Sequence, residues 1–234
     1  MLPPERGRPG RPATSNRLVV NSILWVLRTR APWRDLPECY PAWSGVYARF
    51  RRWNQRGIWA AVLREVAQEL DDESYMLDSS IVRAHQHAAG ARRQLGPQAI
   101  GRSRGGPTTK SHAVVDALGY PVRLLLTPGQ THDVTQAPYL LEQVTKADVL
   151  ADRAYDSRKL VEQLESQGCR VVLPSRRCCK CPRTIDWHLY KERFLVENFF
   201  QKIKRFRRIA MRFDKLAAHY LAMVALASIL VWLA

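Results

Sequence analysis

The chain has 234 residues, room for one medium domain or a small one joined to a larger one, and its 46% apolar and 9% aromatic content excludes disorder over most of its length. Lys plus Arg total 37 against 21 Asp plus Glu, a formal net charge of +16 with a sequence pI near 10.2. Such an excess repels itself unless a polyanion neutralises it, so nucleic acid is the expected partner and an acidic membrane surface the weaker one; 29 of the 37 cations are Arg, whose planar fork grips phosphate.

Residues 1–13 hold Pro, Gly and Arg with almost nothing to bury, which predicts a flexible basic arm. Within it, Arg6-Gly7-Arg8-Pro9 suits the narrow minor groove of A/T-rich DNA, or a solvated basic tail. From Thr14 or Ser15, Leu18, Val19, Ile23, Val26 and Leu27 recur at helical spacing until Ala31-Pro32. Further helices are predicted over about 44–55 and 58–70, parted by Gly57. The middle helix sets Arg49, Arg51, Arg52 and Arg56 among Trp43, Tyr47, Phe50 and Trp53, one face for a core and one for phosphates. Residues 14–72 thus read as a helical DNA-binding region of helix-turn-helix type, with a purely structural bundle as the alternative.

After Asp71-Asp72-Glu73 the pattern changes. Strands are predicted at 75–82, 111–116 and 122–127, with a turn at 117–121 and a Gly/Arg/Ser-rich loop over 90–110 that carries Arg102 and Arg104. A helix over 133–144, a strand at 148–152, a helix over 157–167, a strand at 169–174 and a helical tail complete an α/β region over 74–234. Residues 216–234 are apolar enough to span a bilayer, yet they contain His219 and Ser228 and would have a sheet to pack on; a core helix and no membrane are expected. Five cysteines, Cys39, Cys169, Cys178, Cys179 and Cys181, lack framework spacing, and no leader opens the chain, so a cytoplasmic protein with free thiols is expected. Cys178, Cys179 and Cys181 have only His188 nearby and miss the second pair of a zinc finger.

Three acids stand out. Asp78 sits mid-strand, where alternation points it to one face with Met76, Ser80 and Val82. Asp152 ends the apolar run Val149-Leu150-Ala151, where open α/β sheets place ligands and where a turn or cap residue is equally at home. Tyr190, Arg193, Glu197 and Lys204 are spaced by three, four and seven residues and fall within about 60° of one helix face, away from Leu195, Phe199 and Ile203. That stripe suits a surface holding both metal and phosphodiester; an i,i+4 ion pair of Arg193 with Glu197 on a solvated helix is the plainer reading. Three carboxylates without a dedicated nucleophile are the set for two-metal phosphoryl transfer with Mg²⁺ or Mn²⁺. His132-Asp133 reads as a turn and helix cap, or as a pair supporting the site.

The stretches NSILWVLRTRAPWRDLP, LDSSIVRAHQHAAGAR, GRSRGGPTTKSHAVVDALGYPVRLLLTPGQTHD, VLADRAYDS and YKERFLVENFFQKIKRFRRIAMRFDKLA resemble the DDE transposases of bacterial insertion sequences, in particular the insertion-sequence-five group, over nearly the whole chain. The Tyr-x2-Arg-x3-Glu-x6-Lys signature is complete. The resemblance implies an RNase H-like α/β fold with a mixed sheet and flanking helices, and Asp78, Asp152 and Glu197 as metal ligands with Tyr190, Arg193 and Lys204 around the glutamate. It implies cleavage of transposon ends and strand transfer into target double-stranded DNA by a homodimer assembled on DNA in the bacterial nucleoid. A nuclease that cuts without joining, or a transposase-derived DNA-binding repressor, are the alternatives. The basic bundle, the 90–110 loop, and Lys202, Arg205 and Arg208 would contact phosphates. The family usually has a further helical lead-in before the basic arm, so a truncated or mis-started N-terminus is expected, and the short stretch between Asp152 and Glu197 leaves no space for a large inserted subdomain.

Overall fold

The computed structural model describes residues 2–3, 5, 14–67, 72–91 and 96–234; Arg6 and Arg8 lie outside the described residues. Helix α1 (Asn16–Thr29) buries Val19, Ile23, Val26 and Leu27 of the five periodic residues that predict it and leaves Leu18 exposed. Helices α2 (Trp43–Gln55) and α3 (Ile58–Val66) are separated by Gly57 at φ 67°, a left-handed turn that glycine adopts without steric cost. Strand β1 (Ser74–Ala84) follows, then β2 (Gly101–Ser103), β3 (Gly106–Val115) and β4 (Pro121–Pro128). The predicted 90–110 loop therefore contains a hairpin: Ser103 pairs with Gly106 across Arg104-Gly105, and Gly106 takes φ 90°. Glycines read as loop-formers here supply the tight turn.

The helix predicted over 133–144 does not form as such. A 3₁₀ turn (Asp133–Thr135) and the four-residue α4 (Ala137–Leu140) replace it. Pro138 has no N–H to continue a helix from the residues before it, and it sits in the first turn of α4, where no such N–H is needed. After α4 come β5 (Asp148–Ala151), α5 (Arg158–Ser166), β6 (Arg170–Val172), α6 (Trp187–Tyr190), α7 (Phe194–Lys204), α8 (Arg207–Ala210), β7 (Met211–Arg212) and α9 (Ala217–Trp232).

Strand β3 runs antiparallel between β1 and β4, while β1, β5 and β6 run parallel. β2 extends the free end of β3, and β7 adds to β1 at Arg83 and Ala84. Alternation divides the core between the two faces. Met76, Val82, Ala113, Val115, Leu150 and Val172 pack with α1, α2, α3, α7 and α9, and Leu77, Val114, Val149 and Ala151 pack with α4 and α5. The N-terminal helices and the sheet thus share one hydrophobic cluster, which Leu2 also joins.

Helix α9 is buried almost all round, from Tyr220 and Met223 to Ile229, between the N-terminal helices and β4. A helix apolar on every face needs such a slot. Among the described residues no helix is long and apolar enough to cross a membrane. Arg212, fully buried, is satisfied by Thr109 Oγ1 at 2.7 Å and the carbonyls of Asp214, Ala99 and Lys215, tying the end of β7 to β3.

Candidate active site

Alternation along β1 sends Asp78 and Ser80 to the face under α7, and Ser79 to the other. β1 and β5 pair in parallel up to Leu77 opposite Ala151, so Asp78 and Asp152 are the next residues along two neighbouring strands. Asp152 also accepts from the Ala154 N–H at 2.8 Å and caps the 3₁₀ turn Arg153–Tyr155, the cap role that its place at a strand end allows.

Burial pushes the Asp78 carboxyl above its usual range; the Ser79 N–H at 2.7 Å and Arg193 oppose this, and the charge of Asp152 adds to it. Arg193 Nη1 donates to Asp78 Oδ2 at 2.8 Å while Nη2 donates to Glu197 Oε1. Burial acts to lower the Arg193 guanidinium, but Asp78 and Glu197 outweigh it and hold the charge. Lys204 Nζ donates to Ser80 Oγ, and burial lowers the Lys204 pKa. One helix face thus engages alternate residues of one strand, Asp78 and Ser80.

The stripe is not carried by one continuous α-helix. A 3₁₀ turn, Lys191–Arg193, separates α6 from α7, so Tyr190 belongs to a different helix and packs edge-on against Trp187 at 5.6 Å. From Arg193 onward the helical arithmetic holds: Arg193 and Glu197 pair at i,i+4, and Lys204 reaches the same strand.

The donors suit a hard divalent cation, since the charge of Asp152 adds to the cost of ionising Asp78 and a cation between them relieves it. Among the described residues, no three His, Cys, Asp or Glu side chains are gathered to hold a metal ion; Glu197 meets Asp78 through Arg193.

The basic residues divide into two groups. Arg51, Arg52 and Arg56 are exposed at the end of α2, Arg102 and Arg104 on the β2–β3 hairpin, and Lys202 and Arg205 at the end of α7. Arg49 is half-buried and engaged by its own chain, donating to Thr14 O at 2.6 Å and Asn16 Oδ1 at 3.3 Å and lying over the Trp53 ring. Arg208 corrects the expectation of a phosphate contact: its side chain is only 6% exposed and pairs with the equally buried Asp214 at 2.8 Å. Asp214 supplies the counter-charge that phosphate was expected to supply. Sequence reasoning missed Ser79 and Lys110, which meet Asp133 on the other face of β1. The signal was a lysine in the middle of β3, just ahead of the apolar run Ala113-Val114-Val115.

A mixed sheet of order β4-β3-β1-β5-β6, with Asp78 on β1, Asp152 just past β5 and Glu197 on the helix packed over β1 and β3, defines an RNase H-like α/β fold. Residues 70–232 match the transposase DDE domain family, and residues 1–63 match the family described as "Putative transposase of IS4/5 family (DUF4096)". The chain belongs to the DDE transposase family of insertion sequences and is an enzyme of transposition. It is 44% identical over 131 residues to "Putative transposase for insertion sequence element IS6501" of Brucella ovis, covering 54% of this chain and 98% of that protein. It is 32% identical over 107 residues to the transposase for insertion sequence element IS1106 of Neisseria meningitidis serogroup B, covering 43% of this chain and 37% of that one. The fold resembles the piggyBac transposase in a synaptic complex with hairpin DNA, with a TM-score of 0.57 and 11% identity over 91% of this chain; the match spans 62% of the piggyBac chain.

Proposed function

We propose that this transposase cuts double-stranded DNA at the ends of its insertion sequence and joins the exposed 3′-hydroxyl to target DNA, with Asp78, Asp152 and Glu197 as the acids that hold Mg²⁺ or Mn²⁺. The observation that carries this is the meeting at Arg193 of Asp78 from β1 and Glu197 from α7, beside Asp152 at the end of β5. A bound divalent cation supplies Lewis-acid stabilisation of the attacking and leaving oxygens. The chain's own groups do the rest. Arg193 and Lys204 supply charge for the phosphate beside the acids, each already oriented by a partner on β1. Arg51, Arg52, Arg56, Arg102, Arg104, Lys202 and Arg205 hold the duplex backbone, and Arg6 and Arg8 are the further candidates that their sequence offers for the minor groove. Two copies, one on each end, assemble on the DNA.

The test is cleavage and joining of a duplex that carries the inverted repeats flanking the coding region. Asp78→Asn, Asp152→Asn and Glu197→Gln should each abolish divalent-cation-dependent cleavage while keeping the unfolding midpoint. Cleavage by any of the three at the wild-type rate removes that residue from the set, and cleavage without joined product favours the nuclease reading.

A further inference from the structure

We propose that Asp133 is a positioning residue for the acid site, holding Asp78 in place through Ser79 from the opposite face of β1; the proposal rests on the reading of Asp78 as a catalytic acid. Three consecutive residues of β1 are each tied to a different anchor: Asp78 to Arg193, Ser79 to Asp133 and Ser80 to Lys204. Two of these ties lie on the α7 face, and Asp133 supplies the opposing one.

The tie from behind is charged and partly buried. Asp133 Oδ1 accepts from Ser79 Oγ at 2.8 Å and from Lys110 Nζ at 2.9 Å, and His112 Nδ1 lies 3.7 Å from the same oxygen. Lys110 Nζ also donates to Thr131 O at 2.8 Å, so the segment that carries Asp133 is fixed at two points. Lys110 and His112 are alternate residues of β3, 8% and 0% exposed, and His112 stands directly opposite Ser79 in the β1–β3 register. One carboxylate oxygen therefore gathers β1, β3 and the chain after β4.

The cluster also borders the second acid. Tyr155, three residues beyond Asp152 and 1% exposed, lies within electrostatic reach of Asp133, Asp78 and Asp152 and beside the Ser79 hydroxyl. A site that works by geometry needs its acids held to fractions of an ångström, and groups behind the ligands commonly do this. A merely structural Lys110–Asp133 pair would need no hydroxyl from the residue adjoining Asp78.

The experiment compares Ser79→Ala, Ser79→Thr, Asp133→Asn and Asp78→Asn in the full chain. Single-turnover cleavage is measured on a duplex bearing the flanking inverted repeats, at saturating DNA and Mg²⁺, beside DNA affinity and unfolding midpoint. Ser79→Ala should slow cleavage about tenfold or more with unchanged DNA affinity and midpoint. Ser79→Thr, which restores the hydroxyl, should recover the rate, and Asp133→Asn should slow cleavage at saturating DNA. With Asp78→Asn inactive, wild-type cleavage by Ser79→Ala, or equal loss in Ser79→Ala and Ser79→Thr, overturns the proposal alone. Wild-type cleavage by Asp78→Asn overturns the acid-site reading and the proposal with it.

Discussion

The Arg193 guanidinium donates to Asp78 Oδ2 at 2.8 Å across 115 residues of chain, and its other terminal nitrogen holds Glu197. Arg193 and Asp78 are both about one-fifth exposed, so the pair is partly shielded from water. Without this cation, Asp78, Asp152 and Glu197 would face one another with less compensation. We expect Arg193→Ala to cost about 1–3 kcal/mol in EDTA, because removing one partner leaves the other poorly satisfied. Mg²⁺ should then raise the unfolding midpoint of Arg193→Ala by more than that of the wild type. Equal Mg²⁺ stabilisation of the two proteins would show that Arg193 does not occupy the cation's electrostatic position.

The exposed arginines of α2 should act on DNA through counterion release. Replacing Arg51, Arg52 and Arg56 together by Ala removes up to three phosphate contacts, and the slope of log K against log salt should flatten by up to about 2.7. Arg208→Ala should behave differently. It strands the buried Asp214 carboxylate and should cost about 3–5 kcal/mol of stability while leaving the salt slope of the folded protein unchanged. Filter binding over a salt series and urea unfolding separate the two effects.

Deleting residues 1–70 is a poor route to the same question, because α3 lies against α9 and the N-terminal helices share their core with the sheet. The deletion would expose Met223 and its neighbours, and loss of DNA binding would then report unfolding. Met223→Ala measures that packing directly. At 0% exposure, it should lose about 2–5 kcal/mol in urea unfolding, and a loss below 1 kcal/mol would mean that α9 is not packed as described.

Strand β1 was legible because alternation of Met76, Asp78, Ser80 and Val82 is a local property, and the Arg193–Glu197–Lys204 stripe was legible because helical spacing is local too. The two meet only through tertiary packing, so the pairing of Arg193 with Asp78 could not be read from either segment. The same limit hid Ser79–Asp133 and the burial of Arg208, whose partner lies six residues along the chain but past a turn into β7. The hairpin at Arg104-Gly105 and the broken 133–144 helix were missed for a local reason. A glycine-rich run fits loop and tight turn alike, and the apolar spacing of Leu140, Leu141 and Val144 outweighed Pro138.

Acid stability should depend on His112. Burial pushes its pKa down to about 4; neighbouring Asp133 acts to raise it and Lys110 to lower it further. The ring is fully buried and its Nε2 is 2.8 Å from Thr127 Oγ1. In the unfolded chain His112 takes a proton near pH 6.5, while in the fold it resists doing so until about pH 4. The unfolded state therefore binds more protons across that window, and stability falls as pH drops from 6.5 toward 4, by about 3 kcal/mol for this group. The lowered pKa of His219 adds a loss of the same sign, whereas the raised Asp78 carboxyl contributes the opposite one. A comparison with His112→Gln isolates the residue, because Gln keeps a hydrogen-bonding group near Thr127 without a titrating ring. Urea unfolding at pH 7.5, 5.5 and 4.5 should show a shallower loss in His112→Gln than in the wild type; parallel losses would mean that His112 is not buried in its neutral form.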